Sequence, residues 1–209
     1  MAVYFISGSD TGCGKTFVTG TLARRALEAG RSVTTQKFIQ TGCRGISEDI
    51  VEHRRLMARP PDALDEDGTT CPYVLEFPAS PHLAAEMEGV AIDCGHIKRC
   101  TEILQSRFDT VFIEGAGGLM VPVTRDYLTI DYIVENQLPL IFVASAKLGS
   151  INHTLLSLEA CRARGVRLAQ FVFNRYPPGT PPEIAEESER FLVDFVREHF
   201  GVRVACHRF

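Results

Sequence analysis

Five runs along the chain have the length and apolar content of β-strands, and segments with helical spacing of apolar positions separate them. The runs are Val3 to Ile6, Ser32 to Thr35 (ending at Gln36-Lys37), Asp109 to Glu114, Leu138 to Ala144, and Leu168 to Phe173. The fourth is almost wholly apolar, the pattern of a strand buried on both faces of a parallel sheet. Helices are predicted from Phe17 to Ala29, where Gly30 stops the pattern, and from Ser47, a plausible N-cap, to about Ala58 before Pro60-Pro61. Further helices are predicted behind Ser80 with Pro81 in the first turn and Gly89 as the stop, over Asp93 to Arg107, over Thr129 to Glu135, up to about Arg164 with Gly165 as C-cap, and over Glu183 to Phe200. A short segment, Val202 to Cys206, closes the chain.

Residues 38–45 and 147–153 read as loops, and Pro177 to Pro182 as a rigid exposed loop. Residues 62–81 are irregular, yet Tyr73, Val74, Leu75 and Phe77 need a core, so this stretch is an excursion and not an interdomain linker. Strands alternating with helices imply an α/β fold, a doubly wound and mainly parallel sheet, in one domain over residues 1–209. In such a sheet the loops at the carboxyl ends of the strands form the site. That places residues 8–16, 37–45, 114–118 and 145–153 on one rim, together with Asn174.

The first of these loops is the most informative. Gly8-Ser9-Asp10-Thr11-Gly12-Cys13-Gly14-Lys15-Thr16 leaves a strand and enters a helix, the layout of a phosphate-binding loop. Glycines let backbone N–H groups close around phosphate oxygens, and the helix N-terminus adds partial positive charge. Lys15 can reach the terminal phosphates and Thr16 can ligate Mg²⁺. The spacing is a variant: position 9, where the common pattern has glycine, is Ser9, and Gly8 comes one residue early. An ordinary glycine-rich β–α turn is the competing explanation, and the strand before and helix after argue against it.

Glu114 ends a hydrophobic strand, where a buried carboxylate is costly unless it meets a cation. The glycines after it suggest that something large approaches the backbone there. Asp49 is a second candidate metal ligand, although capping alone would explain an acidic residue at a helix start. Lys37 would point into the phosphate rim, and a solvated strand-end lysine is its ordinary alternative. Thr41 is equally ambiguous alone, and His82 and His153 read as helix-start or surface histidines.

Composition narrows the function classes. Hydrophobic content is 45%, charged content 23% and net charge −4, which gives no basic field for nucleic acid or an anionic membrane. No apolar run approaches the ~20 residues of a membrane span, and a core strand within three residues of Met1 leaves no room for a signal peptide. Seven cysteines without a C-x-x-C disfavour a disulfide framework or zinc ribbon, and Cys94, His96 and Cys100 lack an evident fourth ligand. A cytoplasmic protein is expected.

Assembled in order, five segments resemble the dethiobiotin synthetases. They are Gly8-x-Asp10-Thr11-x-x-Gly14-Lys15-Thr16, Lys37-x-x-x-Thr41-Gly42, Ser80-Pro81-His82, Glu114-Gly115-Ala116-Gly117-Gly118, and Lys147-Leu148-Gly149-x-Ile151-Asn152-His153. The resemblance implies a P-loop NTPase fold and an ATP- and Mg²⁺-dependent reaction of CO2 with 7,8-diaminopelargonate, in a homodimer. It further implies that Thr11, Gly12, Cys13, Gly14, Lys15, Thr16, Phe17, Glu114, Gly115, Ala116, Gly117, Asn174 and Arg175 bind nucleotide. Thr16, Asp49 and Glu114 would hold metal, with Glu48 the rival of Asp49. Lys37 and Lys15 would be catalytic, Lys37 stabilising the transferring phosphoryl. Thr41 would contact the substrate, and Gly149, Ser150, Ile151, Asn152 and His153 would bind its carboxylate across the dimer interface.

The chain departs from the family's common pattern at Phe38, at Arg175, and at its end. Family members carry a Gly-x-x-Pro segment and a further helix near where this chain stops, which leaves the nucleobase preference open. A different class shares the sheet and loop: nucleotide switches of the partitioning or insertion-factor type. Those carry a lysine two residues before the position of Gly12, where this chain has Asp10. An amidotransferring ligase would need a glutaminase domain, for which 209 residues leave no room.

Overall fold

Alternation along the first strand sets the layering. In β1 (Ala2–Gly8), Val3 and Phe5 enter one hydrophobic core and Tyr4 and Ile6 the other. A computed structural model describes residues 1–175 and 179–207, so Pro177 and Pro178 of the expected proline-rich loop lie outside the described residues. The chain continues with α1 (Lys15–Glu28), β2 (Val33–Lys37), a short β3 (Gln40–Thr41), α2 (Glu48–Leu56), α3 (Ala63–Glu66), β4 (Val74–Leu75), α4 (Pro81–Glu88) and α5 (Cys94–Arg107). Then follow β5 (Thr110–Gly118), a hairpin of β6 (Pro122–Thr124) and β7 (Tyr127–Leu128), α6 (Thr129–Glu135), β8 (Leu140–Ser145), α7 (Ser150–Ala163), β9 (Leu168–Asn174), α8 (Pro182–Phe200) and β10 (Arg203–His207).

Six strands form one parallel sheet in the order β10-β9-β8-β1-β5-β2. All six residues of β8, beside β1 in the middle, are buried, as its apolar run requires. One face is covered by Val18 and Ala23 of α1 with Met57 at the end of α2, against Ile6, Phe112, Ile141 and Val143. The other takes Ile97 and Leu104 of α5, Ile133 of α6, Leu158 of α7, and Leu192 and Val196 of α8, against Phe5, Ile113, Phe142 and Phe173. Fully burying each such side chain contributes roughly 1.5–3 kcal/mol, so both faces of the sheet are held to their helices.

α1 and α2 approach closely at Gly20. A Cβ built there would lie 2.6 Å from Leu56 Cδ1 and 2.8 Å from Leu56 Cβ, so only glycine lets the helices meet at this separation. That contact seats α2 beside the carboxyl ends of β2 and β5. Ser47 caps α2 as expected, its Oγ accepting from Ile50 N at 3.3 Å and donating to Gln40 Oε1 at 2.7 Å.

Several expected boundaries move. α1 begins at Lys15, two residues early, because Gly14 adopts a left-handed φ of 91° and turns the chain into the helix. Part of the expected loop after Lys37 pairs as β3 with β4, which gives Val74 and Leu75 their place. β5 continues through the glycines to Gly118, which pairs with Gly8. α7 starts at Ser150, inside the expected 147–153 loop. The β6–β7 hairpin was not foreseen; its strands are too short to carry a period.

Candidate active site

The loop after β1 is built around two glycine requirements. At Gly8 a Cβ would stand 2.4 Å from Cys13 Sγ and 2.7 Å from the Val143 carbonyl, so the loop could not fold back over the sheet. This accounts for the variant spacing: the close approach falls at position 8, while Ser9 is not among the residues with positive φ and tolerates a side chain. Gly12 and Gly14 supply left-handed turns with φ of 75° and 91°. Among the described residues no side-chain hydrogen bond caps the start of α1 at Gly14. Lys15 is buried and folds back to donate to the Asp10 carbonyl at 2.9 Å.

Sheet register brings the opposite charges together. Lys37 of β2 lies opposite Glu114 of β5, and Glu114 opposite Ile6 of β1, so both ends reach the loop at one height. Lys37 Nζ donates to Glu114 Oε1 at 2.9 Å and to the Gly115 carbonyl at 3.3 Å, and it pairs with Asp49 Oδ2. Burial works against the Lys37 ammonium, but the Glu114 and Asp49 carboxylates outweigh it and hold its pKa above the ordinary lysine value. Burial likewise raises the Glu114 carboxyl, and Lys37, then His53 and Lys15, more than reverse this and hold it well below the usual carboxylate range. At the working pH the site therefore contains formed charges of both signs.

Thr16 Oγ1 lies 3.0 Å from Asp49 Oδ1 and 3.0 Å from Glu114 Oε1. A hydroxyl has one hydrogen, so it can donate to only one of these carboxylates at a time. Three hard oxygens thus converge with more acceptors than donors, a set suited to an oxygen-seeking cation. Glu48 is exposed while Asp49 faces the site, which separates the two candidates.

Two cavities meet here. One, of about 450 Å³, is lined by Thr11, Gly12, Gly14, Lys15, Thr16, Phe17, Glu52 and Glu114. The other, about 460 Å³, is lined by Thr41, Gln40, Pro78, Ser80, Ala116 and Val121. Thr11, Lys37, Asp49 and Gly117 line both and form the wall between them. A cavity of about 580 Å³ near Tyr4, Lys98 and Gln137 adjoins the amino ends of the strands and has no such loop.

The remaining predicted residues are placed as follows. Cys13 is buried under the loop, with its carbonyl accepting from Asn174 Nδ2 at 3.0 Å, which ties β9 to the loop. Asn174 Oδ1 is buried and has no hydrogen-bond partner among the described residues. Arg175 turns away: its Nε donates to Glu189 Oε2 at 2.6 Å, so it joins α8 and not the cavity. Gly149 is the left-handed N-cap of α7, Ser150 is buried with its Oγ accepting from Ser145 N at 3.3 Å, and Ile151 is half-buried. Asn152 and His153 are exposed, and none of residues 149–153 lines either cavity. Two of the glycines after Glu114 also have a cause within the chain itself. At Gly115 a Cβ would meet Phe5 Cε1 at 2.8 Å, and Gly117 needs a φ of 66°, so the protein's own packing fixes both.

Sequence reasoning missed His53 and Arg54. His53 is fully buried, with Nε2 2.7 Å from Glu114 Oε2 and Nδ1 3.1 Å from Thr35 Oγ1. Arg54 is buried and grips Asp65 with two hydrogen bonds of 2.9 and 2.7 Å. The one available signal was the four-residue spacing from Asp49 to His53, which puts both on one helix face.

The parallel sheet, the loop at the end of β1 and the lysine–carboxylate cluster beside it define a P-loop nucleotide-binding protein. Solved structures share the fold: a ParA family ATPase from Chlorobium tepidum (TM-score 0.56, 14% identity, covering 100% of this chain and 85% of that one) and the MinC:MinD cell division protein complex from Aquifex aeolicus (TM-score 0.55, 14% identity, 98% and 79%). A family model described as an AAA domain matches residues 2–207. The ATP-dependent dethiobiotin synthetase BioD of Chlorobaculum tepidum is 55% identical over 95% of this chain and 83% of its own length. BioD 2 of Haemophilus ducreyi is 48% identical over 95% and 93%. The chain belongs to the ATP-dependent dethiobiotin synthetase family.

Proposed function

We propose that this protein joins CO2 to 7,8-diaminopelargonate and closes the ureido ring of dethiobiotin at the expense of ATP. The observation that carries the reading is Lys37, whose ammonium stands in the wall shared by the P-loop cavity and the cavity of Thr41. A group transferred from one cavity to a nucleophile in the other must pass that charge.

One substrate amine attacks CO2 and loses a proton, giving a carbamate. A carbamate oxygen then attacks the γ-phosphorus and ADP leaves. The second amine attacks the carbamoyl carbon, phosphate departs, and the proton lost from nitrogen balances the step. The protein need only align these groups and place positive charge where negative charge gathers. The amides at the start of α1 and Lys15 would hold the β- and γ-phosphates, and Lys37 would stabilise the migrating phosphoryl. Thr16, Asp49 and Glu114 would hold Mg²⁺, which neutralises phosphate charge when bound. Two carboxylates and a hydroxyl suit an ion that keeps waters and takes its other ligands from phosphates. Thr41 would contact the diamine, and Asn174 would face the base with its unpartnered Oδ1.

A homodimer working in the cytoplasm is part of the same proposal. The dimer is supported by Leu148 and Leu156, 80% and 63% exposed, on either side of residues 149–153. The compartment is supported by seven cysteines that form no disulfide.

The test is a product assay. With labelled bicarbonate, mass spectrometry should find labelled dethiobiotin, and phosphate release should need both bicarbonate and the diamine. Hydrolysis that ignores the diamine and responds instead to a protein or DNA partner would sink the proposal in favour of a nucleotide switch.

A further inference from the structure

Glu114 has two carboxylate oxygens, and only Oε1 is engaged by Lys37 and Thr16. The other, Oε2, is met by His53 Nε2 at 2.7 Å inside a region closed to solvent. A carboxylate gripped on one oxygen alone can rotate about its last bond. One gripped on both presents a fixed edge.

The donors behind His53 run in one direction. Asp65 accepts from Arg54 Nε and Nη2, and Arg54 Nη1 donates to Thr35 Oγ1 at 2.8 Å. Thr35, having accepted, has its own hydrogen for His53 Nδ1 at 3.1 Å. Nε2 then carries the ring hydrogen and donates it to Glu114, the tautomer that donor and acceptor accounting assigns. Every member of the chain is buried. Two of the members, His53 and Arg54, stand on α2, the helix that also carries Asp49 one turn before His53.

We propose that His53 is a positioning residue for Glu114. It anchors Oε2 so that Oε1 faces Thr16 and Lys37, and α2 thereby sets both carboxylates of the site from one helix face. Sequence gives no hint of this beyond the spacing, since the partners come from β2, α3 and β5. The inference rests on the reading of Glu114 as a ligand-facing carboxylate.

Two substitutions separate donor geometry from bulk. In His53→Gln the amide nitrogen can reach the place of Nε2. In His53→Asn it reaches only the place of Nδ1, so Glu114 loses its donor. Mn²⁺ affinity would be measured by electron paramagnetic resonance with a non-hydrolysable ATP analogue, alongside kcat, KM and melting temperature. His53→Asn should weaken Mn²⁺ binding and lower kcat about 10- to 100-fold, with KM for the diamine little changed, while His53→Gln stays within about threefold of the unsubstituted protein. A His53→Asn variant that binds Mn²⁺ like the unsubstituted protein, or a His53→Gln variant as weak as His53→Asn, overturns the proposal. If neither variant folds, long-range ¹⁵N–¹H spectra of the unsubstituted protein decide: a hydrogen on Nε2 supports the role and a bare Nε2 removes it. Absence of Mn²⁺ binding by the unsubstituted protein with nucleotide would instead overturn the metal reading of Glu114, a separate result.

Discussion

Lys15 and Lys37 are both buried lysines on the P-loop rim, and their surroundings give them different tasks. Lys15 donates to a backbone carbonyl of its own loop, a contact that a phosphate can replace. Lys37 is held by the Glu114 and Asp49 carboxylates and lines both cavities. Lys15→Ala should therefore lose both nucleotide affinity and turnover. Lys37→Ala should lose about 10²–10³-fold in kcat while nucleotide affinity falls by only about threefold. Calorimetry with a non-hydrolysable analogue and steady-state rates would check this, and equal loss of affinity in the two variants would take Lys37 out of its assigned role. Both lysines were legible in the sequence, one from its motif and the other from the end of a strand. What Lys37 touches was not, because Glu114 is 77 residues away and only the β2–β5 register makes them neighbours.

Among the elements, α2 links the helical layer to the chemistry. It delivers Asp49 and His53 from one face, caps itself with Ser47, and rests on α1 through Gly20. Gly20→Val should cost about 2–3 kcal/mol, since overpacking a close helix contact outweighs any relief of glycine's poor helix propensity. Urea denaturation followed by circular dichroism would measure it. A variant as stable as the parent would mean that α2 shifts to make room, and its turnover should then fall, because Asp49 and His53 move with the helix. The strands and most helices could be read from periodicity and caps. The β6–β7 hairpin and the continuation of β5 could not: short or glycine-rich strands have no pattern, and their hydrogen bonds come from distant segments.

For the whole molecule, the rim at the carboxyl ends of β1, β2 and β5 holds the cavities, while the segment at the end of β8 faces outward with Leu148 exposed. The proposed dimer places that segment against a second copy. Light scattering should give twice the chain mass at tens of micromolar, roughly the regime of an obligate small-enzyme dimer, and Leu148→Asp should shift it to the monomer. A monomeric parent protein with full activity would remove the role proposed for residues 149–153.

By itself the sequence determined the alternating α/β order, the P-loop layout after β1 and the family to which the chain belongs. These are written in short stretches, where a strand's period, a glycine's φ or a helix start depends on near neighbours. The tertiary structure alone decided that Asp49 and not Glu48 faces the site, that Arg175 pairs with Glu189, and that a buried histidine holds the far oxygen of Glu114. Those outcomes depend on sheet register and on how closely two helices pack, which bring together side chains that no local pattern relates.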